Sequence, residues 1–174
     1  MAAYLGAGIV SVAPYTGAAL YDTLTFVDVG NVSKMSLSFT EDRKELKNYR
    51  SAAGGTYAAV ARIDKAEASF DFRDFSAANL ELALWGEATT VSTNTTIEAM
   101  INSAPNVAIK YVGTNLATGK DVTVKIFKAR LGAPSGLDFI GDDFGTLSIG
   151  ATLEADTQIV TAGKSQYFAV ILED

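Results

Sequence analysis

The sequence contains no histidine and no cysteine among its 174 residues. Without cysteine there is no disulfide framework, no thiolate nucleophile and no sulfur-ligated metal site. Without histidine a Ser-His-Asp triad is impossible, and the commonest general base is missing. Glycosidase chemistry needs only two carboxylates, but no acidic pair here lies in a recognisable catalytic context. We therefore predict that the protein is not an enzyme and uses no cofactor.

Other features are scarce as well. There are three prolines, and no apolar run reaches the length of a membrane span. The start of the chain, Met1–Leu20, lacks the basic residues of a signal peptide. The formal net charge of −6 argues against a dedicated nucleic-acid binder and against docking on an anionic membrane. We expect a soluble protein made in a cytoplasm.

The residues that are abundant favour β-structure. Hydrophobic residues make up 48% of the chain, which is enough for a core, and 174 residues fit a single domain over 1–174. Val, Ile, Thr, Phe and Tyr are well represented, as in strands joined by tight turns. Residues 1–22 carry no charged side chain before Asp22. We interpret this stretch as an N-terminal arm that lies against another surface.

Alternation of apolar and polar side chains predicts antiparallel strands with one wet face. Ser76 is placed to cap a short helix, and Gly86 is predicted to end it. The expected fold is mainly β, an antiparallel β-sandwich or partly closed barrel, with this one short α-helix at its side. The predicted strands lie in Asn31–Thr40, Arg62–Phe75, Val107–Tyr111, Val122–Ile126, Leu147–Leu153 and Phe168–Leu172.

Charge is unevenly distributed along the chain. The segment Glu41–Arg50 is mildly basic, whereas Leu137–Asp156 contains acidic residues and no basic one. Such a pair of segments suits head-to-tail self-association, although two ordinary solvated loops are the alternative. The acidic spacing matches no calcium motif, so we expect no metal site. The acidic residues that could form a partner patch are Asp138, Asp142 and Asp143.

Three consecutive motifs resemble the major tail tube proteins of long-tailed bacteriophages. They are a charged loop that ends in Gly54-Gly55, a strand that opens with Ala61-Arg62-Ile63-Asp64, and the helix motif FSAANLELALWG over Phe75–Gly86. Together they cover about a quarter of the chain. Haemolysin-coregulated proteins, the tube subunits of type VI secretion, are related to this family in architecture.

The resemblance implies a structural subunit that self-assembles into stacked hexameric rings, a conduit for the genome and the tape-measure protein. Inner sheets of such subunits join into one barrel, which removes free sheet edges. A long loop, here residues 40–61, reaches a neighbouring ring. The implied partners are further copies of the chain and the tape-measure, baseplate or tip, and tail-terminator proteins. DNA passes without specific binding, no membrane is bound, and the location is the virion tail, assembled in the host cytoplasm.

The resemblance also assigns residues to surfaces. The expected ring-to-ring contacts are Arg43, Lys44, Lys47, Tyr49, Arg50, Gly54, Gly55 and Tyr57. The expected lumen-facing residues are Lys34, Ser36, Ser38, Lys65, Glu67, Ser69 and Asp71. Lumen walls in the family tend to be negative, whereas the charges of this set nearly balance.

Alternatives remain at this point. A type VI secretion-type tube, a tail terminator or a head-decoration protein would share the β-rich pattern. A β-sandwich carbohydrate-binding module would use exposed aromatic platforms, but the single tryptophan, Trp85, lies on the predicted helix, where core packing is expected.

Overall fold

Antiparallel strands dominate the computed structural model, which describes residues 3–17 and 20–173. The predicted class, mainly antiparallel β with one short flanking α-helix, is confirmed. A short 3-10 helix, Tyr21–Thr23, and α1 (Ala77–Ala83) interrupt the strands. The strands are β1 (Gly6–Pro14), β2 (Val27–Asp28), β3 (Val32–Lys47), β4 (Thr56–Phe72), β5 (Glu87–Val91), β6 (Asn94–Glu98), β7 (Asn106–Asn115), β8 (Lys120–Leu137), β9 (Leu147–Leu153) and β10 (Phe168–Leu172).

The main sheet has the order β2-β1-β7-β8-β9-β4-β3, and β10 pairs with β8. The long strand β8 serves two neighbours on one side. Its first part, Val122–Ile126, pairs with β10, and its second part, Ala129–Leu137, pairs with β9. Within the described residues β2 and β3 end this order and do not pair with each other, so the sheet is not closed into a barrel.

The core gathers the apolar faces of these strands. Ile109, Ile126 and Ile149 are 2% exposed or less and belong to one buried cluster with Phe70 and Phe72. Burial alternates strictly along β9, as the sequence pattern of Leu147–Leu153 predicts. Each large side chain removed from water contributes about 1.5–3 kcal/mol, so this shared cluster is the main stabilising element of the fold.

The helix begins as predicted but ends differently. The Ser76 hydroxyl accepts a hydrogen bond from the Asn79 backbone N–H (3.2 Å), which caps the first turn. At the other end the left-handed residue is Trp85, with φ of 51°, and the Gly86 N–H donates to the Glu81 carbonyl (3.0 Å). Gly86 is needed for another reason, because a Cβ there would come within 2.5 Å of the Glu98 carbonyl oxygen.

The first strand replaces part of the predicted N-terminal arm. Of residues 1–22, Gly6–Pro14 form β1 and pair along their whole length with β7. Gly8 permits this close pairing, because a Cβ there would lie 2.4 Å from the Gly113 Cα. The alternation of β1 is blurred by its glycines and alanines, which is why the sequence pattern indicates an arm. Residues 1, 2, 18 and 19 of that arm, and residue 174 of the predicted domain, lie outside the described residues.

The predicted loop 40–61 is largely strand. Pairing between β3 and β4 continues from Glu41 opposite Ile63 to Lys47 opposite Thr56, and only residues 48–55 form the turn. A register shift after Thr40 leaves Asp64 as an extra residue on β4. Beyond this bulge both faces of the hairpin are exposed, so the sequence there lacks the alternation by which strands are recognised.

Candidate assembly surfaces

The predicted lumen-facing residues share one face of the β3–β4 pair. Directly opposed residues of an antiparallel pair point to the same side of the sheet, so the register places them together. The cross-strand pairs are Lys34 with Asp71, Ser36 with Ser69, Ser38 with Glu67, and Thr40 with Lys65. The structure therefore brings all of the predicted lumen residues into one polar surface, which we call the polar face.

Most of the polar groups on this face are already bonded to each other. The Ser36 and Ser69 hydroxyls lie 2.7 Å apart, and the Lys65 ammonium lies 2.6 Å from the Glu67 carboxylate. Ser148, on β9, donates to Asp71 at 2.6 Å and extends the polar face onto a third strand. Lys65 and Glu67 are therefore paired on this face, whereas Lys34 belongs to no ion pair among the described residues.

The distal half of the β3–β4 hairpin projects from the sheet. We call residues 41–63 the hairpin arm. Pairing of β4 with β9 begins only at Glu67, and the hydrogen bonds and ion pairs of the arm among the described residues all join two residues of the arm itself. At about 3.4 Å per residue its paired part alone is roughly 20 Å long.

Two of the predicted ring-to-ring cations are neutralised within the arm. Arg43 pairs with Glu45 (2.9 Å), and Lys44 pairs with Asp42 (3.3 Å). Asp42 also forms an ion pair with Arg62 (3.2 Å). The middle of the arm is therefore nearly balanced in charge, and these residues present a self-paired surface.

The remaining predicted ring-to-ring residues gather at the end of the arm, residues 47–57, which we call the tip. Tyr49 is 84% exposed, and Lys47 and Arg50 belong to none of the ion pairs in the described part of the chain. Gly54 and Gly55 have φ of 69° and 96°, conformations that side chains other than glycine rarely adopt. The tip is thus basic and aromatic, and it contains no acidic residue.

Apolar side chains continue along the arm below the tip. Leu46, Val60 and Ile63 are each between 55% and 70% exposed. A two-stranded hairpin is marginal in water on its own, and these side chains stay mostly in contact with solvent. This is an apolar surface without a partner in the described monomer.

The predicted acidic patch lies in the connection from β8 to β9. We call residues 138–145 the acidic loop. It contains Asp138, Asp142 and Asp143, and three large apolar side chains stand out between them: Phe139 at 76% exposure, Ile140 at 97% and Phe144 at 87%. These apolar residues were missed by sequence reasoning. Their only signal is that they stand among glycines and aspartates, residues of exposed turns.

The acidic loop is held at the foot of β4. Arg73, which directly follows β4, donates to the Phe144 carbonyl (3.0 Å), and Phe75 packs edge-on against Phe139. The tip lies beyond the other end of β4, which runs for 17 residues and so spans roughly 50 Å. The structure therefore does not bring the predicted basic and acidic partners together within one subunit, but places them at opposite ends of it.

Ionisable groups with shifted pKa values are found in hydrogen bonds and ion pairs that join parts of the fold. The hydrogen bond from Lys128 (2.8 Å) and the neighbouring Arg130 (2.9 Å) hold the pKa of Glu154 below its usual value. Burial and the hydrogen bond to Asp156 (2.7 Å) raise the pKa of Tyr15 to about 12. Within residues 3–17 and 20–173 no group of three or more acidic side chains is arranged to hold a metal ion. None of the helices described is long and apolar enough to cross a membrane.

Known proteins were compared with this chain by structure and by sequence. In structure, the chain is similar to two chains of an extracellular contractile injection system. A chain of the PVC sheath–tube complex in the extended state has 15% identity and a TM-score of 0.45, with 95% of this chain and 87% of the other covered. A chain of the PVC sheath/tube terminator in the extended state has 14% identity and a TM-score of 0.45, with 96% and 93% covered.

No curated protein matches the sequence. One family profile matches nearly the whole chain, over residues 3–98 and 92–171. The chain therefore belongs to the family described as protein of unknown function UCP028589.

Proposed function

We propose that the protein is a structural subunit of a phage tail tube, which assembles as stacked hexameric rings and forms a conduit for genome delivery. The six-fold rings and the conduit follow from the sequence resemblance of residues 41–86 to major tail tube proteins. In this proposal the protein has no catalytic role, and it resides in the virion tail after assembly in the host cytoplasm. Its partners are further copies of itself and the tape-measure, baseplate and tail-terminator proteins.

The hairpin arm is the observation that carries the proposal. It projects from the sheet, is bonded only to itself among the described residues, and exposes a row of apolar side chains and two tyrosines. Covering those side chains requires another molecule, and tyrosine and arginine are the residues that most often anchor protein interfaces. Contacts with other copies in a polymer would cover this arm, whereas a monomer leaves it exposed.

The outer edge of β3 supports the same conclusion. Among the described strands β3 pairs only with β4, so its other edge presents unpaired backbone groups. A long free edge invites aggregation unless a partner covers it. In a ring, the neighbouring subunit's sheet covers this edge and continues the polar face around the lumen.

The polar face suits a lumen through which DNA slides. Its lysines and carboxylates balance, and Lys65 and Asp71 are both held by neighbours on the same face. DNA affinity depends on cations that are free to replace its counterions. Lys34 is the one lysine of this face outside the ion pairs of the described residues, and Asp71 lies opposite it on β4, so the face supplies little binding. Transient passage without specific binding is the result.

Electron microscopy of the purified protein over a concentration series tests the proposal, with light scattering recorded in parallel. We expect hollow tubes of uniform width, or rings with about the mass of six subunits, as the subunit concentration rises. A chain that stays monomeric across the whole series, including after addition of sheared tail tubes as seeds, contradicts it.

Replacement of the tip anchors tests the part played by the arm. We expect Tyr49→Ala with Arg50→Ala to block elongation while the subunit stays folded, because both side chains are exposed and bonded to nothing in the core. The matched control is Val160→Ala with Lys164→Ala, which removes one exposed apolar and one basic side chain from another loop. Long tubes from the tip variant, with an unchanged circular dichroism spectrum, would show that the arm is not the ring-to-ring contact.

A further inference from the structure

We infer that the tip of one copy docks on the acidic loop of a second copy, so that the two ends of the subunit are the two halves of one heterologous contact. This rests on the proposed function, which supplies the stacking of copies. It goes further in naming the receiving surface and the apolar residues on it.

Charge complementarity is the first argument. Most of the arm's cations are paired within it, and Lys47 and Arg50 at the tip are in no ion pair of the described chain. The acidic loop likewise has carboxylates that are in no ion pair of the described chain, namely Asp138, Asp142 and Asp143. Unpaired charge of opposite sign is thus present at the two ends. Complementary potentials of this kind steer association and fix its register.

Apolar complementarity is the second argument. The tip offers Tyr49 and Tyr57, and the acidic loop offers Phe139, Ile140 and Phe144, all largely exposed. An interface core is built from such aromatic and aliphatic anchors, with charged residues at its rim. Both surfaces have this composition, apolar side chains surrounded by charges of a single sign.

Placement is the third argument. The tip and the acidic loop lie beyond opposite ends of β4, roughly 50 Å apart, so they cannot meet within one subunit. A contact between two different surfaces of identical copies is heterologous, so it builds a ring where its rotation closes and an open polymer where it does not. Stacking of copies along an axis is the second case, and it leaves one of each surface free at the two ends of the polymer.

Charge reversal tests the pairing. We expect Lys47→Glu with Arg50→Glu, and separately Asp142→Lys with Asp143→Lys, to raise the concentration needed for elongation by about tenfold or more. A variant with all four changes restores complementarity and is expected to elongate near the wild-type concentration. If the loop reversal has no effect, or if the fourfold variant elongates no better than either reversal alone, the inference is wrong.

Disulfide trapping tests the contact directly, and the cysteine-free chain makes it clean. We expect Ala52→Cys with Gly141→Cys, two exposed positions beside the anchors, to give a ladder of trimers and longer chains on a non-reducing gel when oxidised in the assembling protein. Ala52→Cys alone can form only dimers, and Ala52→Cys with Val160→Cys is the matched control. The absence of a ladder from the Ala52/Gly141 variant, while that variant still assembles, overturns the inference.

The outcomes separate the two proposals. Wild-type tubes without a ladder retain the tube and reject this docking surface. A ladder without hollow tubes retains the head-to-tail contact and rejects the tube.

Discussion

At the residue scale, the clearest electrostatic feature is the Glu154 carboxylate between Lys128 and Arg130. Both cations favour its charged form, so the pKa of Glu154 is lower in the folded protein than in the unfolded chain. A carboxyl of this kind stabilises the fold above its unfolded pKa. That contribution is lost as the pH falls through the folded value. The stabilisation is therefore present at neutral pH and fades in acid.

We expect Glu154→Gln to lower the free energy of unfolding by about 0.5–1 kcal/mol at pH 7, since the pair is partly solvated. The difference from the wild type should shrink as the pH falls below about 4. Urea denaturation at several pH values measures it. Glu41→Gln is the control, because Glu41 is exposed and in no ion pair of the described residues. A loss that persists unchanged in acid would contradict the electrostatic explanation.

The residues of the polar face could be grouped from the sequence because alternation fixes which side chains share a face. Ser36 and Ser69, for example, follow the partly buried Met35 and precede the buried Phe70 in the alternation, and the structure puts their hydroxyls in contact. The apolar residues of the acidic loop had no such rule. Whether Phe139 is buried or exposed depends on where Arg73 and Phe75 hold the loop, which is a tertiary matter.

At the element scale, strand prediction succeeded where apolar and polar side chains alternate in the sequence and failed where they do not. Leu147–Leu153 alternates because every second side chain enters the core. The distal part of β3 pairs with β4 yet buries neither of its faces. Its sequence therefore lacks the apolar–polar alternation that predicts a strand. The β5–β6 hairpin was not predicted either, because Ser92, with φ of 59°, occupies a turn position that asparagine or glycine usually marks.

The junction of α1 with the β5–β6 hairpin depends on Gly86. Its amide closes the helix end on Glu81, and its Cα lies against the backbone of Glu98. We expect Gly86→Ala to lower the free energy of unfolding by about 1–3 kcal/mol, since the added methyl meets a carbonyl oxygen at 2.5 Å that cannot move without breaking strand pairing. Thermal or urea unfolding measures the change.

Gly150→Ala is the matched control for that substitution. Gly150 lies in the middle of β9, and a Cβ there meets nothing within 4 Å. It should leave stability unchanged or raise it slightly, because alanine loses less conformational entropy on folding than glycine. Equal losses from the two variants would mean that the close contact with Glu98 is not the cause.

At the scale of the whole molecule, the subunit joins a rigid sheet to an arm of low local stability. The described strands β7, β8 and β9 share the buried cluster around Ile109, Ile126 and Ile149, whereas the arm has no buried side chain of its own. Regions with few buried contacts and solvent-exposed backbone hydrogen bonds open locally at small free-energy cost. If the chain assembles as proposed, we expect most of the new order to arise in the arm.

Hydrogen exchange followed by mass spectrometry on peptides 41–63 and 107–131 measures this gain. In the dispersed subunit we expect the amides of the arm to exchange much faster than those of β7 and β8, because the arm opens without disturbing the core. In assembled tubes the arm should become protected, while peptides of β7 and β8 change little. The Tyr49→Ala, Arg50→Ala variant should show the fast pattern at every concentration. Protection of the arm in the dispersed wild-type subunit would contradict this division, since the arm would then be stable without the contacts that assembly is proposed to supply.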